Sequence, residues 1–358
     1  MYGVALQKYL VAGCMLGLLS SSALASAQDH DSNFITFQVP HSAYTSPIAI
    51  NNALTVMGVY ADEKNNYHGF IREVSGRIIS FDPPESTYTL PSGLNDSGAI
   101  TGFYADSTGT HGFLRSPEGA FTSFDVPGSG VTLPVGINDT DTIAGYYTDP
   151  NPKSLVTHGF VRSRHGEITT FDAGPAGGMT IPAAINRSGI ITGRVQAQSP
   201  FGGGLIIYAF ERSPQGEITQ PGIQEPYGIN AEGAIVGITG GTPGLAGAIV
   251  SPEGALTTFQ AQGAYTTLPT TINGEGAVAG QYFVALGNND THGFVRSPEG
   301  TITSFDPPGS TRTDVSSIND FGILTGETLR ANNIVYGFLR IPDHCGWLLE
   351  HCSDDGPR

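Results

Sequence analysis

Four histidines each stand fourteen residues before an aspartate: His68 and Asp82, His111 and Asp125, His158 and Asp172, His292 and Asp306. An aspartate that orients an imidazole raises its basicity, which is how a general base is prepared. Each of these histidines opens a His-Gly-Phe tripeptide, and an arginine follows two positions after the Phe, at Arg72, Arg115, Arg162 and Arg296. Repetition argues against catalysis, because a pair present in four separate copies cannot converge on one substrate. Where the histidine slot holds Tyr208, Ala246 or Tyr336, the aspartate slot holds Gly222, Gln260 or, from the N-terminal end, Gln38. Joint retention and joint loss are what a direct contact produces. The pairs and the arginines are therefore expected to pin strands together, and no catalytic residue is assigned.

The elements that position these residues are themselves repeated. Aligned on Ile-Asn followed by Gly seven positions after the Asn, the chain shows seven copies, at Asn51, Asn95, Asn138, Asn186, Asn230, Asn273 and Asn319. The copies step by 44, 43, 48, 44, 43 and 46 residues, a period that indicates repeated supersecondary units. In the second copy, turn signals separate four strand candidates at roughly residues 87–94, 99–104, 111–116 and 120–125. The first turn, Asn95-Asp96-Ser97-Gly98, is rich in Asx-turn formers. The third, Ser116-Pro117-Glu118-Gly119, suits a three-residue loop with a left-handed glycine, and that register sets His111 opposite Asp125.

Four antiparallel strands per repeat predict an all-β fold, a seven-bladed β-propeller. The blade of residues 314–340 lacks its last strand, while an orphan Phe34-Ile35-Thr36-Phe37-Gln38-Val39 matches a last strand such as Ile302-Thr303-Ser304-Phe305. Residues 34–39 are thus expected to complete that blade and close the ring, leaving no open sheet edge.

The His-Gly-Phe tripeptide with its following Arg, the Phe-Asp strand and the Ile-Asn-Asp-x-Gly turn resemble the bacterial extracellular HAF repeat. The likeness spans about residues 34–341, although the middle residue is Gly in the four His-bearing copies and Ala only at Tyr208-Ala209-Phe210. It implies a secreted repeat protein and brings no reaction, cofactor or catalytic residue. The His–Asp pair is also similar to the structural networks of WD40 blades, though no Trp-Asp dipeptide occurs.

Residues 1–27, with Lys8, an apolar run from Tyr9 to Leu19 and an Ala25-Ser26-Ala27 cleavage signal, read as a secretory signal peptide. Residues 28–341 then form the propeller and 342–358 a tail, in an extracellular or periplasmic protein, and no transmembrane segment follows. Loss of residues 1–27 takes the formal charge from −16 to −17, which repels phosphate backbones and argues against nucleic acid as a partner. Cys345 and Cys352 are the only cysteines of the mature chain, and in an exported protein they are expected to form a disulfide.

Candidate ligand-binding residues lie where copies depart from the pattern. The connection from the motif Gly to the histidine slot runs 10, 9, 13, 15, 9, 12 and 10 residues, and variable loops on a fixed scaffold are where binding concentrates. Glu225 and Tyr227, beside a Pro226-Tyr227-Gly228 inner strand, and Arg194 are the residues singled out. Acidic and amide side chains in these loops would suit calcium, but no EF-hand or RTX spacing is present, so no cofactor is assigned and a metal stays open. The expectation is a monomeric binding or scaffold module for an extracellular protein or glycan. The alternative is a polysaccharide hydrolase or lyase with its site on the variable-loop face.

Overall fold

The computed structural model describes residues 33–342 except 152, 153, 155, 200, 201, 203, 242, 243, 288 and 289. The expected signal peptide and the Cys345–Cys352 pair lie outside the described residues. Among the described residues the chain is all β, with 28 strands and no helix, and hence no helix long and apolar enough to cross a membrane.

The strands form five sheets. Three are four-stranded antiparallel meanders, covering residues 179–219, 225–259 and 266–305. The other two have eight strands, and each consists of two such meanders joined by a single parallel bridge, Thr110 to Val131 in one and Tyr44 to Val335 in the other. No sheet closes on itself. The strand Phe34–Phe37 pairs antiparallel with Val335–Arg340, in the register Ile35 to Leu339 and Thr36 to Phe338.

The second repeat shows why each meander forms. Its strands are Tyr88–Leu94, Ile100–Ala105, Thr110–Arg115 and Phe121–Phe124, within one residue of the expected bounds. Asn95 Oδ1 accepts the Ala99 N–H at 2.9 Å, so the first turn takes Ala99 out of the strand. In the third turn Ser116 N donates to Ala120 O at 2.8 Å, and Gly119 sits at φ 97°, a left-handed conformation that glycine adopts without a Cβ penalty. The register Gly112 to Phe124 then leaves His111 facing Asp125.

The inner strand of every repeat carries a bulge. The residue after the conserved-position proline drops out of register at Ile48, Ser92, Val135, Ala183, Tyr227 and Thr270, and Ser316 does so after Val315. A bulge of this kind re-aims one side chain. The motif glycine opposite it is sterically required: a Cβ on Gly102 would sit 2.3 Å from Leu90 O.

The core lies between consecutive repeats rather than inside them. The Phe of each tripeptide (Phe70, Phe113, Phe160, Phe294) and its counterparts Phe210 and Phe338 are fully buried. Met57, Ile71 and Phe81 of the first repeat pack with Ile100, Tyr104 and Phe113 of the second. Ile35, Phe37 and Val39 share one cluster with Val56 and Phe70 from the first repeat and Ile323 and Leu339 from the last. Burying each such side chain stabilises by about 2 kcal/mol, so this N-terminal strand joins both flanking repeats through apolar contact.

Candidate functional site

The four histidines meet their aspartates. Nδ1 of His68, His158 and His292 lies 2.7 Å from Asp82, Asp172 and Asp306, and Nδ1 of His111 lies 2.8 Å from Asp125. On the other side of three of these rings stands a second carboxylate, with Nε2 3.5 Å from Asp62, 3.4 Å from Asp106 and 3.4 Å from Asp149. Each imidazole also packs on a tyrosine, at centroid distances of 5.2 Å for Tyr60, 5.5 Å for Tyr104, 5.1 Å for Tyr147 and 5.3 Å for Tyr282. Burial of the His111 ring opposes its charge, but the hydrogen bond to Asp125 and the charges of Asp125 and Asp106 outweigh that and hold its pKa above the ordinary value. The remaining acceptor capacity of two aspartates goes to the next inner strand, where Thr89 donates to Asp82 and Thr313 to Asp306, both at 2.6 Å. At two of the three sites without histidine, glutamine bonds to the backbone instead: Gln260 donates to Ala264 O at 2.8 Å, and Gln38 donates to Ser42 O.

The arginines bridge repeats. Arg72 lies 5.0 Å from the ring centroid of Phe37, Arg115 5.2 Å from Phe81, Arg162 4.8 Å from Phe124, Arg212 4.8 Å from Phe171, Arg296 5.3 Å from Phe259 and Arg340 4.8 Å from Phe305. Each guanidinium sits over the last-strand Phe of the neighbouring repeat. Between the fourth and fifth repeats the two slots hold Pro221 and Val250, so ring and cation are both absent there.

A contact that sequence reasoning missed runs along the motif asparagines. Asn51 Nδ2 donates to Asn95 O, Asn95 to Asn138 O, Asn138 to Asn186 O, Asn186 to Asn230 O, Asn230 to Asn273 O, Asn273 to Asn319 O, and Asn319 returns to Asn51 O, all at 2.9–3.2 Å. These side chains are buried, and the Oδ1 of each caps its own turn, as Asn186 does for the Ile190 N–H at 2.9 Å. The asparagines surround a cavity of about 250 Å3 floored by the preceding Ile and Leu residues. It opens at the turns between first and second strands, the face opposite the variable loops.

The three residues proposed for ligand binding come together. Arg194 Nη1 donates to Glu225 Oε1 across the junction of the fourth and fifth repeats. Tyr227 and Tyr146 of the third repeat both lie close enough to Arg194 to act on its charge. Burial raises the pKa of both tyrosines, the Arg194 charge opposing it. Tyr227 occupies the bulge position where five other repeats carry Ile48, Ser92, Val135, Ala183 or Thr270, and it is the largest side chain of that set. A second charged cluster, unforeseen, lies in the last repeat: Arg312 contacts Asp314 at 2.7 Å and Glu327 at 2.8 Å. Burial, reinforced by the Asp314 charge, raises the Glu327 pKa despite Arg312.

Among the described residues no group of three or more His, Cys, Asp or Glu side chains is placed to hold a metal ion. In the loop of the first repeat Asp62 is already engaged, accepting N–H bonds from Lys64 and Asn66 at 2.8 Å, and the bond from Asn66 leads the contacts that hold its carboxyl at about 2.

No protein-family model and no curated protein sequence matches the chain. Solved structures do match in fold. Virginiamycin B lyase from Staphylococcus aureus is 14% identical, with 86% of this chain and 99% of that one covered and a TM-score of 0.53. The β-propeller domain of the Trilobed protease from Pyrococcus furiosus is 13% identical, covering 85% and 94%, with a TM-score of 0.59. Acylaminoacyl peptidase from Pyrococcus horikoshii is 12% identical, covering 88% of this chain and 54% of that one, with a TM-score of 0.57. At these identities the likeness is one of fold, and the fold is a β-propeller.

Proposed function

We propose that this chain is an exported seven-bladed β-propeller of the HAF-repeat kind, closed by residues 34–39 completing the blade of residues 314–340, and that it works as a monomeric binding or scaffold module for an extracellular protein or glycan without a cofactor. Closure is supported by the pairing of Phe34–Phe37 with Val335–Arg340, by Arg72 over Phe37 and by the return of the asparagine chain from Asn319 to Asn51. The binding reading rests on one observation: the imidazoles that could serve as bases stand one to a repeat, each bonded to an aspartate of its own repeat, so they do not converge on one substrate. Screening the purified full chain on a glycan array, with and without Ca²⁺, followed by product analysis of every hit, tests it. Binding without turnover is expected; turnover contradicts it.

One observation favours the hydrolase or lyase reading. Tyr146, Arg194, Glu225 and Tyr227 come from three successive repeats and converge, as unique polar residues of an active site do. Against it, Arg194 and Glu225 neutralise each other. Loss of any observed turnover in Glu225→Gln and Tyr227→Phe would establish that second reading.

A further inference from the structure

The residue after each motif asparagine forms the rim of the axial cavity. At four positions its backbone N–H donates to an Asx side chain on the next repeat: Asn52 to Asp96 at 2.9 Å, Asp96 to Asp139 at 3.0 Å, Gly274 to Asp320 at 2.8 Å and Asp320 to Asn52 at 3.0 Å. On the remaining arc the next rim residue is Arg187, Ala231 or Gly274, and none of these carries an acceptor. The N–H groups of Asp139, Arg187 and Ala231 therefore have no protein acceptor among the described residues, and neither does the Arg187 guanidinium.

We infer that this arc is a subsite for one carboxylate-bearing sugar residue, a uronate, at the axial mouth. Three backbone N–H groups on exposed residues, beside a guanidinium, offer donors to an anionic acceptor, and a carboxylate meets a guanidinium through two parallel hydrogen bonds. The opposite arc carries Asp96 and Asp320, whose four carboxylate oxygens already accept bonds from the rim. Asp139 keeps Oδ2 for a ligand donor, its Oδ1 being taken by Asp96 N. Three carboxylates on the rim disfavour a multiply charged inorganic anion more than a singly charged carboxylate, and the hydroxyls of a sugar can donate to Asp139 Oδ2. A cavity of about 250 Å3 is small for a drug-sized ligand and holds one sugar ring. The inference deepens the binding-module reading and rests on it.

The test titrates the full chain with galacturonate and glucuronate, with galactose, glucose and inorganic phosphate as controls, by calorimetry. Arg187→Gln removes the guanidinium. Ala231→Asp supplies the acceptor that Asp96 and Asp320 supply elsewhere, and so occupies the Arg187 N–H. Saturable uronate binding, weakened about tenfold or more in both variants, with the controls at least as much weaker, is expected. A melting temperature for Ala231→Asp at or above that of the parent shows that its loss of binding is not unfolding. Absence of uronate saturation, equal binding of a neutral sugar or phosphate, or indifference to both variants overturns the subsite. Array hits that persist in Arg187→Gln would leave the binding module standing and remove only this subsite; a blank array with no uronate binding removes both.

Discussion

The guanidinium of Arg72 lies 5.0 Å from the ring centroid of Phe37. Arg72 ends the strand Tyr67–Arg72 of the first repeat, and Phe37 belongs to the strand that pairs with Val335–Arg340 of the last. One stacked pair thus connects the two ends of the repeat array, and it does so with the geometry that Arg115 and Phe81 use inside the array.

The equivalence has a measurable consequence. A double-mutant cycle on Arg72→Leu and Phe37→Leu should give a coupling of about 0.5–2 kcal/mol. The same cycle on Arg115 and Phe81 should agree with it within about 0.5 kcal/mol. Zero coupling at the first pair alone would mean that the N-terminal strand is not seated.

Asn186 is buried, donates to Asn230 O at 3.0 Å and caps Ile190 N at 2.9 Å. Asn186→Ala leaves both partners without it, and at about 1–3 kcal/mol for each unsatisfied buried group the loss should be about 3 kcal/mol. Denaturant unfolding measures it. Asn186→Asp, of equal size, should fare no better, because a carboxylate would face a carbonyl oxygen.

The sign of one pH effect follows from His111. Its pKa is raised in the folded protein, so the stabilisation is fully present below the unfolded value of about 6.5 and is lost as the pH rises through the folded one. Melting of His111→Gln should therefore fall furthest below the parent near pH 5.5, about one unit below the unfolded value, and less as the pH is raised toward about 8.5. A deficit that grows with pH would show that the imidazole acts as a neutral partner.

Much of this was readable in the residues, for physical reasons that differ by contact. His111 and Asp125 were legible because a three-residue loop with a left-handed Gly119 fixes the register between their strands. The pairing of Phe34–Phe37 with Val335–Arg340 was legible because residues 34–39 match a last strand such as Ile302–Phe305. The asparagine chain was not, since Asn51 and its counterparts mark the alignment equally well as turn formers, and a bond from one repeat to the next leaves no local period. The arginine contacts crossed repeats too, but they left a trace: Val250 and Pro221 replace Arg and Phe at one junction only. The cluster of Arg312 and Glu327 left none, because the slot after the motif Gly holds Val59, Phe103, Tyr146, Arg194, Ile238 or Gln281 in other repeats, a range too wide to mark Glu327 as the partner of Arg312.

Closure by the N-terminal strand is the claim on which the account stands, and native-state hydrogen exchange of the full chain tests it most directly. The amides of Ile35 to Phe37 that bond to Val335–Arg340 should exchange only with global unfolding, as slowly as those of Phe338 and Leu339 across from them. Fast exchange at Ile35 to Phe37 while Phe338 and Leu339 stay protected would contradict it.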